Sequence, residues 1–223
     1  MTQKGGRDSR GRDSRGRDLE SRNLESGEGA DGEGERAIGM DVDDMLRLKS
    51  MHLAPYMQLA TALIGNRRRS GGNMFRHQID TFGILIDYGY IDSVLLKASV
   101  IHDLIEDVPG FDRDRILEID EESAEVFKLV LEVTRRPIET KAEFLARIRD
   151  FGSSKARVLK SADRISNMIS LGYVTDIEFV RRYTDETEKQ VFPIAELADE
   201  RMLDELRELV ETRREYLARR FEI

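Results

Sequence analysis

YIDSVLLKASVIHDLIEDV, residues 90–108, reads as one amphipathic helix with His102, Asp103, Glu106 and Asp107 gathered within six positions near its C-terminal end. On a helix from 92 to 106, Val94, Leu95, Ala98, Ile101 and Ile105 recur three and four positions apart and predict a buried face. His102 borders that face, and Asp103 follows it around the helix. Glu106 lies four residues after His102 and Asp107 four after Asp103, so the two pairs share neighbouring faces at the helix end. Carboxylates at a helix C-terminus oppose the macrodipole, at a cost of roughly a few tenths of a kcal/mol each. A bound cation would remove that conflict. These residues alone leave two readings open: a solvated polar terminus ahead of Pro109, or a metal or catalytic cluster.

The helical period extends outward in both directions. DVDDMLRLKSMHLAPYMQLATALIG (41–65) carries it with a break expected at Pro55, and NMFRHQIDTFGILIDYG (73–89) follows. C-terminal to the central stretch come DRILEI, ESAEVFKLVLEVTRR, KAEFLARIRDFG, SKARVLKSADRISNMISLG, TDIEFVRRYTDETEKQVFPIAEL and ADERMLDELRELVETRREYLARRFE. Gly89, Pro109, Pro137, Gly152 and Gly172 punctuate them as turns. No period-two strand stands out, so the expected fold is an all-α helical bundle.

The 223 residues suffice for one domain with a sizeable core. Residues 40–223 are assigned to it. Residues 1–39, a run of Gly-Arg-Asp-Ser-Arg units followed by Gly and Glu, hold almost nothing to bury and are expected to form a disordered tail. Asp and Glu interleave its arginines, which weighs against an RNA-binding arm. With no cysteine there is no disulfide framework, thiolate metal site or thiol nucleophile. No apolar run is long enough to span a membrane, and no apolar segment follows the basic N-terminus as in a secretory signal. A cytoplasmic location is expected. A net charge of −8 disfavours an extended nucleic-acid partner and leaves room for a small anion held by local cations.

Two further segments add ligating chemistry. RRRSGGNMFRHQID places His77 after a run of arginines, and LKSADRISNMIS puts Asp163 and Asn167 on one helical face, with Leu159, Ile165, Met168 and Ile169 apolar around them. His77, His102, Asp103 and Asp163 together are an N/O donor set suited to Mn²⁺, Fe²⁺ or Zn²⁺. His52, the remaining histidine, reads as ordinary packing or surface. Arg67, Arg68, Arg69 and Arg76 flank His77, and Lys155, Arg157, Lys160 and Arg164 flank Asp163; the eight are expected to focus an anionic substrate.

A histidine, a His-Asp doublet and a distant aspartate in this order resemble the HD superfamily of metal-dependent phosphohydrolases. The likeness is greatest to the hydrolase domain of the RelA/SpoT proteins and to the small alarmone hydrolases. It rests on RRSGGNMFRH (68–77), HDLIED (102–107) and ADRISN (162–167), with weaker support from VTRR (133–136) and ETEKQVFPIAEL (186–197), and spans residues 45 to 200. The resemblance implies metal-dependent removal of the 3′-pyrophosphate of (p)ppGpp, with His77, His102, Asp103 and Asp163 as ligands, usually of Mn²⁺. It makes Glu106 and Asp107 the catalytic acids and turns Arg68, Arg69, Ser70, Asn167 and Ser170 toward a guanine nucleotide. Asn73-Met74 stand where the family pattern has Pro-Tyr, and Ser166 where histidine is common. Both departures are expected to lie off the ligands and to bear on the choice of nucleotide. An HD enzyme for nucleoside monophosphates or NADPH, and an inactive nucleotide-binding module, are the competing readings. The oligomeric state is left open.

Overall fold

The computed structural model describes residues 40–221, with side chains through Arg219. The tail expected over 1–39 lies outside the described residues. Among the described residues the architecture is helical, and the sole strand-like feature is an isolated bridge between Arg67 and Asn73. In chain order the helices are α1 (Val42–Ser50), α2 (Ala54–Ala60), α3 (Met74–Asp87), α4 (Ser93–Ser99), α5 (Leu104–Asp107), α6 (Asp114–Leu117), α7 (Ser123–Val133), α8 (Lys141–Phe151), α9 (Ser154–Ser170), α10 (Ile177–Glu186), α11 (Phe192–Glu196) and α12 (Glu200–Phe221).

The bundle is organised around α9, which packs chiefly against α3 and α12 and also touches α4, α7, α8 and α11. Ser153 starts it by accepting the Ala156 N–H at 3.1 Å, which satisfies one of the free amides of the first turn. Ala156, Leu159, Ala162, Ile165 and Met168, spaced three apart and so spread over more than half of the helix circumference, are all fully buried. Each large aliphatic side chain buried in this way contributes about 1.5–3 kcal/mol. Ile169, near the C-terminal end of the helix, is half-exposed. The helix thus carries Asp163 and Asn167 on a scaffold held from several sides.

The remaining boundaries follow local chemistry. Pro55 sits in the first turn of α2, after α1 ends at Ser50, so the break expected at this proline is present. Gly71 and Gly72 take φ of 91° and 72°, a conformation that penalises a Cβ, and turn the chain into Asn73. The Asn73 side chain accepts the Arg76 N–H at 2.9 Å and starts α3 one turn before His77. Thr140 and Glu143 form a reciprocal capping box at α8. The segment read as one helix over 175–197 divides at a π-helical turn, Thr187–Val191, and resumes as α11 with Pro193 in its first turn.

One departure from the sequence reading matters for function: the helix expected over 92–106 is interrupted. α4 stops at Ser99 and α5 begins at Leu104. The Ser99 carbonyl, which in a continuous helix would accept the Asp103 N–H, meets His102 Nδ1 at 2.7 Å. The Asp103 N–H turns instead to Gln78 Oε1 on α3, at 3.4 Å. In a regular helix adjacent residues point about 100° apart. Here the turn lets His102 and Asp103 face the same point. Val94, Leu95, Ala98 and Ile101 are buried as the stripe requires, and Ile105 is partly buried.

Candidate active site

Three segments meet at one cluster. α3 brings His77, the α4–α5 turn brings His102 and Asp103, and α9 brings Asp163. Single ligand atoms of His77, His102 and Asp163 all lie within 4.8 Å of one another, and all three residues are buried. Asp103 stands at the edge of this trio, its Oδ2 being 3.3 Å from His102 Nε2 and 3.5 Å from His77 Nε2. The two imidazoles meet edge to face with centroids 5.3 Å apart.

Each ring is oriented from its Nδ1 side. The His102 Nδ1–H donates to the Ser99 carbonyl, and His77 Nδ1 meets Ser166 Oγ at 2.9 Å. Both Nε2 atoms therefore face carboxylates. His77 Nε2 lies 2.9 Å from Asp163 Oδ1. His102 Nε2 is buried without a hydrogen-bond partner among the described residues, its nearest carboxylate oxygens being those of Asp103 at 3.3 Å and Asp163 at 3.9 Å. A buried lone pair aimed at two anions is costly unless a cation lies among them. A divalent ion held by N and O donors suits this arrangement, and the Nδ1 contacts are of the kind that orient metal-binding histidines.

The charge state of the cluster points the same way. Burial by itself would lower the His102 pKa, but the carboxylates of Asp103 and Asp163 and the Ser99 carbonyl outweigh it and hold it up at about 9. Burial pushes Asp163 up, yet Lys160 and the two imidazoles prevail and keep its carboxyl well below the usual range. Lys160 Nζ donates to Asp163 Oδ2 at 2.6 Å, and Asn167 Nδ2 donates to Oδ1 at 2.6 Å. In the metal-free protein a proton occupies His102 where the lone pair is wanted. Metal uptake near pH 7.5 is therefore expected to release about one proton, with affinity falling about tenfold per pH unit below 9. Titration calorimetry in buffers of different ionisation enthalpy reads that proton directly, and a release near zero would mean that His102 is already neutral in the metal-free protein.

The cluster opens into a cavity of about 950 Å³ whose wall includes Glu106 and Asp107. Asp107 is half-buried, and burial, reinforced by the charges of Asp103 and Glu106, raises its pKa to about 6. A carboxyl that titrates this close to neutrality can both give and take a proton. Arg67, Arg68, Arg69, Arg135, Lys141, Lys160 and Arg164 line the same space and outnumber its carboxylates, Asp103, Glu106, Asp107 and Asp163. On a chain of net charge −8 this is a local reversal of sign.

The structure redistributes several expected roles. Arg68 lines the cavity and donates to Asn167 Oδ1 at 2.7 Å and Ser170 Oγ at 3.2 Å, so Ser170 anchors Arg68 and is not itself part of the wall. Asn167 links Arg68 to Asp163, and Ser70 lines the cavity. Arg69 pairs with Asp176 and lies 4.2 Å over the Phe179 ring. Arg76, Lys155 and Arg157 are not part of the wall, so the focusing set is smaller than the eight expected. Lys155 pairs with Asp92, and Arg157 donates to the Arg149 carbonyl. Arg164 faces the cavity but is buried, bonded to Glu186 and Thr187 and lying 4.2 Å over Tyr183. Ser166, expected to stand clear of the ligands, touches His77 directly. His52 lies on the surface, as read from its sequence surroundings.

Sequence reasoning missed Gln78, whose Nε2 donates to Asp103 Oδ2 at 2.9 Å while its Oε1 receives the Asp103 N–H. Gln78 is wholly buried, and its place directly after His77 was the one signal the sequence offered. It also missed Arg135, Lys141 and Tyr183 in the cavity wall; Arg135 lies in the VTRR segment, whose weaker likeness to the family pattern was the available signal, whereas Lys141 and Tyr183 lie on segments with no local signature beyond helical period.

The bundle and this cluster define a class, an all-α fold with a buried His/Asp cluster able to hold a divalent ion. Among solved structures the chain is similar to a metazoan ortholog of SpoT that hydrolyzes ppGpp and plays a role in starvation responses, with a TM-score of 0.59 and 20% sequence identity, over 79% of this chain and 98% of that one. At that identity the likeness is one of fold. No protein-family model matches the sequence, and no curated protein matches it. No helix among the described residues is long and apolar enough to cross a membrane.

Proposed function

We propose that this chain is a divalent-metal-dependent phosphohydrolase that removes the 3′-pyrophosphate of (p)ppGpp, giving GDP or GTP and pyrophosphate. The observation that carries the reading is the unpartnered, buried His102 Nε2 facing Asp103 and Asp163, which with His77 line a cation-rich cavity. His77, His102, Asp103 and Asp163 would hold the ion, with Mn²⁺ the expected metal. When bound, such an ion lowers the pKa of water and polarises a phosphoryl oxygen.

The chain's own groups do the rest. Glu106 and Asp107 orient the attacking water and take its proton, the Asp107 carboxyl being raised toward neutrality by burial and by its neighbours. Arg68, fixed by Asn167 and Ser170, presents its remaining N–H groups to the substrate phosphates. Lys160, beside Asp163, adds positive charge where the phosphoryl group is transferred.

The deciding experiment is product analysis. With ppGpp and Mn²⁺ the purified protein is expected to release GDP and intact pyrophosphate, resolved by nucleotide chromatography with separate assays for phosphate and pyrophosphate. No turnover of ppGpp alongside rapid hydrolysis of nucleoside monophosphates or NADPH would move the enzyme to that substrate class. Met74 in the cavity wall, where the family pattern has tyrosine, is the residue such a result would implicate.

A further inference from the structure

A second cavity, of about 560 Å³, adjoins the first and shares Glu106 and Arg135 with it. We propose that this cavity binds the pyrophosphate group of a nucleoside diphosphate or of free pyrophosphate, with Arg113 and Arg136 as its anchors. Its volume is that of a small-molecule site.

The argument rests on which charges in the wall are already spent. Glu139 is held by Arg147 through two bonds of 2.6 and 3.1 Å and also accepts the Arg136 N–H at 3.0 Å. Glu106 accepts the Arg135 N–H at 3.3 Å, with Arg135 Nε at 3.8 Å from its other oxygen. Both carboxylates of the wall therefore have partners. Arg136 Nε forms a loose ion pair with Glu139 at 3.8 Å but no side-chain hydrogen bond, and the Arg113 guanidinium has no hydrogen-bond or ion-pair partner among the described residues. Two guanidinium forks without side-chain hydrogen bonds thus line one cavity, Arg113 without any partner and Arg136 only loosely paired. A planar fork matches the paired oxygens of a phosphate better than any other side chain does.

The rest of the wall narrows the ligand. Ile105, Leu131 and Pro137 supply an apolar floor beside the arginines. A nucleoside could lie on it, whereas free pyrophosphate would use the arginines alone. Because Arg135 and Glu106 belong to both cavities, an anion bound here competes with Glu106 for Arg135. Any effect of that competition on turnover rests on the hydrolase reading; the binding itself does not.

The test is calorimetric titration of the full chain, freed of metal by chelation, with GDP, ADP and inorganic pyrophosphate as separate probes. Arg113→Gln/Arg136→Gln is expected to weaken one binding event at least tenfold while metal uptake on reloading stays at the wild-type level. Arg68→Ala, in the first cavity, should leave that event unchanged. Equal affinity for the three probes assigns the site to pyrophosphate; tighter binding of the nucleotides, lost in Leu131→Asp, assigns it to a nucleoside diphosphate. Wild-type binding of all probes by the double variant, or loss of every binding event in Arg68→Ala, would overturn the proposal. Since no step requires turnover, an inactive protein that still binds at this site would count against the hydrolase reading alone.

Discussion

Asp103→Ala is expected to lose metal and turnover together, with divalent-ion affinity down by about 10²-fold or more, beyond the usual cost of removing an outer-shell partner. Asp103 is the member of the cluster whose role most needs this test, because it sits at the edge of the buried trio of His77, His102 and Asp163. Two effects of the change oppose each other. The substitution deletes an oxygen donor, but it also removes one of the carboxylates that hold a proton on His102, which eases metal entry. That relief matters only where His102 is protonated in the wild type. Affinity measured at pH 9 and above should therefore show the larger loss, and affinity at pH 7 the smaller one. Asp103→Asn, which keeps an oxygen to accept from Gln78 Nε2, separates the donor role from the packing role. Full metal occupancy in Asp103→Ala would remove Asp103 from the ligand set and leave His77, His102 and Asp163 to hold the ion.

The same residues show how far the sequence could be read. Helical period and turn residues were enough for an all-α bundle, because each helix must bury a stripe and each stripe is local in sequence. His77, His102, Asp103 and Asp163 stood out as chemically matched donors, and they do converge. The interruption at Ser99 did not show, since Ser99 and Val100 fit a helical pattern as well as a turn does. What breaks the helix is the capture of the Ser99 carbonyl by His102 and of the Asp103 N–H by Gln78 on another helix. Long-range pairings of this kind leave no periodic trace. Arg69 is 107 positions from Asp176, and Ser166 is 89 from His77. Arg164 looked like a free cation because its neighbours Glu186, Thr187 and Tyr183 are distant in sequence.

Glu106→Gln should separate chemistry from binding more sharply than any other single change at this site. The amide keeps the size of the carboxyl and can still accept from the Arg135 N–H, so the local fold and the metal cluster are retained. What is lost is a group that can take a proton and a negative charge close to Asp107. The first loss should lower kcat by about 10²–10⁴-fold with metal content and KM near wild type, the usual scale for deleting a general acid or base. The second has its own signature. Asp107 is raised to about 6 by burial, then by Asp103, then by Glu106, so removing the Glu106 charge relaxes its pKa downward while leaving the larger causes in place. The acidic limb of the residual pH profile should accordingly shift to lower pH by less than the full displacement of Asp107. An unchanged kcat with a raised KM would make Glu106 a substrate-binding residue, leaving Asp107 as the sole proton acceptor. A lowered kcat with an unmoved acidic limb would mean that the limb reports a group other than Asp107.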